Sequence, residues 1–458
     1  MRLSETLKFI LKAVCEIFSL KYSGLFFVLI ILPFSSVATF AQSESKSSSD
    51  EQMTWWHNAR FGTFLHRGYN KNDENFNSSK ELIRMLADIA SKGGNYLMNE
   101  EPSELETLPR ESIDRLKEID QWIKDNGESI YGTSASPFRN LSWGRCTLKT
   151  VSGGDILYLH IFEWPKDGML ILSGVQNQAK KAYLLPDKKK KLKIERKEDA
   201  LVISLTGAAP DSINPVVALE LVGKLDFTEP PMIKSDFALL IDSMIVELFT
   251  DREKVEIRYE FDGSEPTMAS NKYIPGQPIM VKSSCNLSAR CFRDCKPVSG
   301  TSRKKFKLVY PYMAKGVTNL KPGIRFKYYE GSWDSLPEFM KLIAVKEGLV
   351  DDFIFVPRRQ EERFGFTYHG YIKVPGTDIY AFSTESDEGS CLYIDDKQVV
   401  NNDGIHVIQE KEGIIPLNKG YHKIRVEYFE ATGNDVLKVY VRSPGKIKMK
   451  LPKDWLFQ

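Results

Sequence analysis

Residues 61–66 read Phe-Gly-Thr-Phe-Leu-His, and residues 92–99 read Lys-Gly-Gly-Asn-Tyr-Leu-Met-Asn. Both stretches contain a short apolar run next to glycine, which is the pattern of a buried strand. The segment between them, residues 79–90, carries apolar side chains at helical spacing, namely Leu82, Ile83, Leu86 and Ile89. A strand, a helix and a second strand in this order predict a parallel α/β arrangement.

The two helices of this region have recognisable ends. Ser79 is a plausible N-cap of the first helix, and Lys92-Gly93-Gly94 ends it. A second helix is predicted over residues 112–126, with Gly127 in the stop position. Its apolar face consists of Ile113, Leu116, Ile119, Trp122 and Ile123.

Downstream of these helices the hydrophobic period changes to two. Residues 155–162, for example, read Asp-Ile-Leu-Tyr-Leu-His-Ile-Phe, and further short runs follow between Gly, Pro and Asp turns. Short, evenly spaced strands of this kind predict an antiparallel sandwich, here over residues 135–228. Two more β-rich modules are predicted over 229–312 and 321–445, the first starting at a Pro230-Pro231 linker.

Two pieces of the chain resemble the α-L-fucosidase family of retaining glycoside hydrolases. The first is residues 55–68, Trp-Trp-His-Asn-Ala-Arg-Phe-Gly-Thr-Phe-Leu-His-Arg-Gly, and the second runs from Ser79 through residues 92–99 to residues 127–133. In that family the first motif forms the opening strand of a (β/α)8 barrel and the second forms its closing strand. A complete barrel takes about 250 residues, yet here the two motifs are nearly adjacent. The resemblance implies a remnant of a (β/α)8 barrel over residues 53–134, truncated internally.

The rest of the chain resembles modules that accompany such enzymes. Residues 143–147 (Trp-Gly-Arg-Cys-Thr) and 160–165 (His-Ile-Phe-Glu-Trp-Pro) are similar to the sandwich that follows the fucosidase barrel. Residues 255–267 resemble the immunoglobulin-like module at the C-termini of chitobiases, and the last module resembles the protective-antigen-like sandwich. The expected fold is therefore multidomain, a barrel remnant followed by three mostly antiparallel β-sandwich domains.

Retaining glycosidases need two carboxyl groups roughly 5 Å apart. In the family the nucleophilic Asp lies on a mid-barrel strand, and no such segment lies between His66 and Ser79. No catalytic residue is therefore assigned, and the chain is expected to be inactive or severely impaired. Replacement of the lost pair by loop glutamates is disfavoured, because glutamates beside prolines usually face solvent; these are Glu100, Glu101, Glu104 and Glu106.

The resemblance implies one substrate-binding residue, His66, which matches a family histidine that hydrogen-bonds bound fucose. Arg67 stands where the family usually has Trp, and a strand-end histidine with no ligand is the alternative interpretation. Asn99 matches the closing strand and is expected to secure the backbone, and His57 to serve packing. No metal or other cofactor is predicted, although Asp387-Glu388 stands where some adhesin relatives carry a calcium-binding Asp pair.

The formal net charge of +2 argues against a dedicated nucleic-acid binder, which usually carries a concentrated basic face. The lysine run 188–191 is interpreted as a solvated hairpin tip, with an anionic glycan contact as the minor alternative. A fucosylated glycan or another carbohydrate is the expected partner. The alternative function is a non-catalytic carbohydrate-binding or cell-surface interaction protein derived from a fucosidase.

The apolar run at residues 25–34 is shorter than the roughly 20 residues of a membrane-spanning helix and indicates a signal peptide over 1–41. A flexible linker over 42–52 follows, so a periplasmic or secreted protein with no stable membrane span after cleavage is expected, with a retained signal anchor as the alternative. In such a compartment one disulfide among Cys285, Cys291 and Cys295 is possible.

Overall fold

The computed structural model describes the backbone of residues 62–66 and residues 77–99, 110–205, 207, 209, 213–356 and 358–458. Several predictions fall outside these ranges: the signal peptide, the linker, His57, Glu100, Glu101, Glu104 and Glu106. Within the described residues, the helices are too short or too polar to cross a membrane.

The N-terminal region has the order strand, helix, strand, helix. Strands β1 (Gly62–His66) and β2 (Asn95–Asn99) pair in parallel, and helices α1 (Ser79–Ser91) and α2 (Arg110–Asn126) follow one strand each. Among the described residues, β1 and β2 form a sheet of two strands. The observed α2 begins two residues earlier than the predicted segment 112–126 and ends where predicted.

The N-cap of α1 is Ser78, so the expected cap Ser79 was wrong by one residue. The Ser78 side chain accepts from the Glu81 amide at 3.3 Å, while the Ser78 amide donates to the Glu81 carboxylate at 2.7 Å. This reciprocal pair is a capping box, which satisfies two backbone donors that a helix start leaves free. At the other end Gly93 adopts a φ of 72°, a left-handed conformation suited to glycine.

Both helices pack their apolar faces on the following sandwich. Ile83 of α1 and Trp122 of α2 form one buried cluster with Tyr158, Tyr183 and Val216 of the sandwich. Burying a large apolar side chain contributes roughly 1.5–3 kcal/mol. Packing of this kind, more than intrinsic propensity, stabilises short helices.

The first sandwich contains seven strands, in the spatial order β3-β4-β9-β6-β7-β8-β5. They are β3 (Gly144–Val151), β4 (Gly154–Ile161), β5 (Met169–Ser173), β6 (Ala179–Leu184), β7 (Asp187–Lys197), β8 (Ala200–Ser204) and β9 (Val216–Leu221). The long strand β7 pairs with β6 through its first half and with β8 through its second half, and so joins the two layers. The predicted lysine run lies just after the hairpin tip, at the exposed start of β7.

The second sandwich has a three-stranded sheet, β10-β12-β15, and a five-stranded sheet, β11-β17-β16-β13-β14. Its strands are β10 (Met232–Lys234), β11 (Leu239–Leu240), β12 (Met244–Phe249), β13 (Glu256–Glu260), β14 (Asn271–Lys272), β15 (Ile279–Val281), β16 (Cys285–Arg293) and β17 (Lys296–Leu308). The turn after β13 places Gly263 at a φ of 86°, and the Ser264 amide donates to the Asp262 carboxylate at 2.9 Å.

The third sandwich pairs the sheet β19-β18-β20-β25-β22-β23, to which β28 adds beside β20, with the sheet β24-β21-β26-β27. Its strands are β18 (Ile324–Glu330), β19 (Lys346–Val350), β20 (Phe364–Val374), β21 (Asp378–Ser386), β22 (Ser390–Ile394), β23 (Lys397–Asn402), β24 (Gln409–Leu417), β25 (Gly420–Glu430), β26 (Leu437–Arg442), β27 (Met449–Lys450) and β28 (Leu456–Phe457). Its core is rich in aromatic rings, including Phe364, Phe366, Tyr368 and Tyr428.

The three sandwiches contact one another through specific side chains. Arg290 of the second sandwich forms a buried ion pair with Asp199 of the first. At the other junction, Ile379 and Ala381 of β21 belong to the hydrophobic core of the second sandwich. These contacts join the first sandwich to the second and the second to the third.

Candidate functional site

The parallel pair β1 and β2 places His66 directly opposite Asn99 in the strand register. The two residues that the fucosidase resemblance singled out are therefore brought together at the carboxyl ends of their strands. The carboxyl ends of parallel strands are where α/β folds bind ligands. The side chains of His66 and Asn99 lie outside the described atoms, so the expected sugar contact of His66 stays a prediction.

A histidine in the other family-like motif, His160, is a buried structural residue. Its Nδ1 lies 3.2 Å from Nδ2 of Asn214, and its Nε2 lies 3.5 Å from the Thr147 hydroxyl. Burial lowers the pKa of His160 to about 4, which keeps the ring neutral near neutral pH. A ring that is neutral and enclosed on all sides serves packing, not proton transfer to a ligand.

An open groove, the aromatic groove, lies along the β5 side of the first sandwich and has a volume of about 580 Å³. Its apolar lining includes Phe138, Trp143, Trp164, Met169, Ile171 and Phe227. Met169 and Ile171 are 44% and 48% exposed, because alternate β5 side chains point away from the core. Polar groups lie at the rim, among them Asn140, Ser142, Glu163 and Lys166.

Hydrogen bonds fix the backbone at Trp143 and the indole of Trp164 in the aromatic groove. The Trp143 carbonyl accepts from the amides of Phe162 and Glu163 at 2.9 and 3.0 Å. Gly144 makes this approach possible, because a Cβ there would lie 1.9 Å from the carbonyl oxygen of His160. On the opposite side, the Trp164 indole donates to the Gly207 carbonyl at 3.2 Å, which fixes the ring.

Half-buried indole rings beside carboxylate and amide groups can stack on the apolar face of a pyranose and hydrogen-bond its hydroxyls. Phe138 and Phe227 support the base of the groove by an edge contact, with ring centroids 4.5 Å apart. Arg139 pairs with Glu229 at 2.7 Å beside the groove. The aromatic groove therefore combines a preformed apolar surface with polar hydrogen-bonding groups, as ligand sites usually do.

Asp387 and Glu388, at the position of the calcium-binding pair of some adhesins, are both buried. The Asp387 carboxylate accepts from the Asn434 amide at 3.2 Å, and the Glu388 carboxylate accepts from the His406 amide at 3.2 Å. Within the described part of the chain, no group of three or more acidic, His or Cys side chains is arranged to hold a metal ion. Both carboxylates instead support the backbone of their loops.

The five cysteines that the structure describes are free thiols, so the possible disulfide among Cys285, Cys291 and Cys295 is not formed. Cys291 is buried in the core of the second sandwich, whereas Cys295 is exposed in the turn after β16. Burial raises the pKa of the Cys291 thiol. A buried protonated thiol acts as a small apolar side chain.

Three family models match the chain. The model described as "Alpha-L-fucosidase" matches residues 35–128, which include both motifs of the parallel pair. Over this segment, the chain is similar to the alpha-L-fucosidase family. The model "Fn3 associated" matches residues 246–306 and the model "PA14 domain" matches residues 348–455, within the second and third sandwiches.

Two curated relatives match different lengths of the chain. An alpha-L-fucosidase of Dictyostelium discoideum is 32% identical over 158 residues, which are 33% of this chain and 34% of the relative. A beta-hexosaminidase of Porphyromonas gingivalis is 25% identical over 264 residues, 54% of this chain and 33% of that protein. The chain thus spans about a third of the length of these two curated relatives.

Among solved structures, alpha-L-fucosidase isoenzyme 1 from Paenibacillus thiaminolyticus is 32% identical, with a TM-score of 0.31. The match covers 35% of this chain and 38% of that one. The segment that the fucosidase model matches contains residues 55–68 and 92–99, the motifs identified from sequence. The aromatic groove was not predicted, although Trp143 and Trp164 both lie in the motifs quoted for the family sandwich.

Proposed function

We propose that this protein is a carbohydrate-binding descendant of an alpha-L-fucosidase that no longer hydrolyses fucosides. The origin in a glycoside hydrolase family follows from the matching segment. The observation that carries the binding function is the aromatic groove, where Trp143 and Trp164 flank a preformed surface beside Glu163. Stacking on an aromatic face together with hydrogen bonds to a carboxylate suits a neutral saccharide.

The loss of hydrolysis is argued from the parallel pair. We interpret β1 and β2 as the opening and closing strands of the ancestral (β/α)8 barrel, which are neighbours in a closed barrel. The chain passes from His66 to α1 through residues 67–78, whereas the family's nucleophile lies on a mid-barrel strand. Retaining chemistry needs two carboxyls on one sugar, so His66 is kept as a candidate substrate contact without a catalytic partner.

The accessory modules and the export signal fit the same role. We take residues 135–228, 229–312 and 321–445 as three β-modules that follow the barrel remnant 53–134. An exported, periplasmic or secreted location would bring them into contact with extracellular glycans. Glycan docking is therefore assigned to the sandwiches, with a fucosylated glycan or another carbohydrate as the ligand.

Two measurements on the full chain test this function. With a nitrophenyl α-L-fucoside, we expect no release of nitrophenol above the buffer rate, and turnover that one Glu substitution abolishes would contradict the loss of hydrolysis. On a glycan array, we expect binding that Trp164→Ala and the isosteric Glu163→Gln both weaken. Tyr131→Ala removes a 60% exposed ring elsewhere and is the matched control. Absence of binding to every saccharide would overturn the proposal.

A further inference from the structure

A second groove lies on the outer face of the larger sheet of the third sandwich and has a volume of about 720 Å³. Its floor comes from β18, β20 and β25, and one side is formed by β19. The other wall is the short turn Phe339–Lys341. The Phe339 ring packs 4.9 Å from the Tyr329 ring and covers Gly365, where a Cβ would lie 2.6 Å from the ring. Packing within the protein therefore shapes this groove without a ligand. It is called the basic groove for Arg325, His369 and Arg425 on its floor.

Strand register places three basic side chains side by side across the floor. Arg325 of β18 pairs with His369 of β20, and His369 pairs with Arg425 of β25. Residues directly opposite one another on a sheet face have Cβ atoms about 4.5–5.5 Å apart, and like charges in such pairs are destabilising. The row thus places two guanidinium groups, those of Arg325 and Arg425, on either side of the His369 ring on one face of the sheet.

The acidic groups of the groove pair with Arg425 and Lys327 and leave Arg325 without an acidic partner. Glu427 forms an ion pair with Arg425, and Glu347 lies 3.6 Å from Lys327. Among the described residues, no ion pair is formed by Arg325 or by His369. Burial lowers the pKa of His369, and the nearby charges of Arg425 and Lys327 lower it further. The groove therefore has a surplus of positive potential next to an Arg325 that lacks an acidic partner.

A buried hydroxyl in the same floor also lacks a partner. Thr367 lies between Lys327 and Glu427 in the register, is 1% exposed, and its Oγ1 has no hydrogen-bond partner in the structure. Leaving a buried hydroxyl unsatisfied costs about 1–3 kcal/mol. A ligand oxygen in the groove would give this hydroxyl its hydrogen bond.

From this geometry we infer that the basic groove binds the acidic group of an anionic saccharide, a carboxylate or a sulfate ester. Arg325 and Arg425 supply charge-assisted donors, Thr367 supplies a hydroxyl, and the exposed apolar rim formed by Met340 and Leu349 contacts the sugar ring. The inference rests on the proposed function only for the saccharide class of the ligand. It adds a second site for acidic saccharides to the aromatic groove, which suits neutral ones.

Calorimetric titration of the full chain tests the inference with three hexasaccharides: neutral, uronic acid and sulfated. We expect binding to one or both acidic probes but not to the neutral probe in this groove, and the two acidic probes separate carboxylate from sulfate recognition. Arg325→Gln is expected to weaken binding by about ten- to a hundredfold, because it removes a charge-assisted hydrogen bond to the acidic group. Thr367→Val keeps the shape of the buried side chain and is expected to weaken binding severalfold without loss of stability.

Lys305→Gln removes an equal charge from an exposed position on the second sandwich and is expected to leave the affinity unchanged. Equal affinities for wild type, Arg325→Gln and Lys305→Gln would overturn the inference, as would no binding of either acidic probe. Trp164→Ala separates the two sites. The variant should weaken binding of the neutral probe and leave binding of the acidic probes unchanged. Wild-type protein that binds an acidic probe but no neutral one would contradict only the proposed function of the aromatic groove, and wild-type protein that binds only the neutral probe would contradict only this inference.

Discussion

The indole nitrogen of Trp122 donates a hydrogen bond of 2.9 Å to the backbone carbonyl of Asn214. This bond joins α2 to the segment that enters β9, and so attaches the fucosidase-family segment to the first sandwich. A second attachment is made by Arg84 of α1, which donates to the carbonyls of Ile213 and Phe162 at 3.0 and 2.5 Å. The stability of the two helices therefore depends on their contacts with the first sandwich.

Trp122→Phe tests this attachment. The variant keeps a ring in the buried cluster but leaves the Asn214 carbonyl without its donor, so we expect a loss of about 1–3 kcal/mol in the free energy of unfolding. Trp122→Ala also creates a cavity and should cost about 3–5 kcal/mol. Urea unfolding followed by circular dichroism measures both, with Tyr131→Phe as an exposed aromatic control. Equal stability of wild type and both Trp122 variants would show that the helices are not anchored there.

Hydrogen exchange should separate the strands from the helices. A two-stranded sheet is marginally stable at best, so we expect the amides of β1 and β2 to exchange faster than those of β4. In contrast, α1 amides near Ile83 should be protected, because this side chain is fully buried against the sandwich. Mass spectrometry of proteolytic peptides provides the readout. Protection of β1 and β2 equal to that of β4 would contradict the interpretation of an incomplete sheet.

Sequence patterns predicted the elements better than their contacts. The helical spacing of Ile83 and Trp122 identified the faces to be buried, but their partners Tyr158 and Tyr183 belong to a module whose own period is two. Nothing local to a helix specifies which sheet covers it. The capping error has a smaller cause: Ser78 and Ser79 are adjacent, and only Ser78 is three residues from the Glu81 that completes the capping box.

The grooves were harder to predict for related reasons. Residues 169–172 are a continuous apolar run, so the sequence does not reveal that Met169 and Ile171 face solvent while Leu170 and Leu172 are buried. The basic groove depends on register: Arg325, His369 and Arg425 are far apart in the chain and become neighbours only when three strands pair. An error of one residue in pairing would move all of these side chains to the other face.

The Arg290 and Asp199 pair predicts a strong coupling between the first and second sandwiches. Both side chains are nearly inaccessible, and Asp199 Oδ2 has no hydrogen-bond partner in the structure. Burial raises the pKa of Asp199, and Arg290 opposes that shift. Arg290→Met should therefore cost about 3–5 kcal/mol, because it leaves a buried carboxylate unpaired.

The double variant Arg290→Met, Asp199→Asn should recover much of this loss. Thermal unfolding by calorimetry, completed as a double-mutant cycle, measures the coupling energy. Lys272→Met removes a cation at an exposed pair with Glu256 and serves as the control. Additive effects of the two single substitutions would mean that the pair does not link the sandwiches.

Because His160 is buried as a neutral ring, we expect the first sandwich to lose stability in acid. Its pKa is lowered by burial from 6.5 to about 4, so the folded state binds this proton less readily than the unfolded chain. Stability is fully present above about pH 6.5 and is lost as the pH falls towards 4, by up to about 1.4 kcal/mol per pH unit. His160→Gln should flatten this part of the stability profile in urea titrations. A profile unchanged by the substitution would exclude His160 as its origin.

Because of Glu430, we expect the third sandwich to lose stability as the pH rises, the opposite direction to that expected from His160. The carboxyl group is fully buried, Tyr428 donates to one oxygen, and Oε1 has no partner in the structure. Burial raises its pKa from 4.5 to about 7, and the charges of Asp435, Asp387 and Glu388 add to the increase. The folded state therefore retains a proton that the unfolded chain releases.

The stability that protonated Glu430 provides is fully present below about pH 4.5 and is lost as the pH rises through about 7. Glu430→Gln mimics the neutral form, so it should raise the melting temperature above about pH 7 and change it little near pH 5. Scanning fluorimetry across this range measures the difference, which should reach on the order of 3 kcal/mol. Glu338→Gln, at an exposed position paired with Lys341, is the control. If both variants shifted the melting temperature equally at every pH, the buried carboxyl would not be the titrating group.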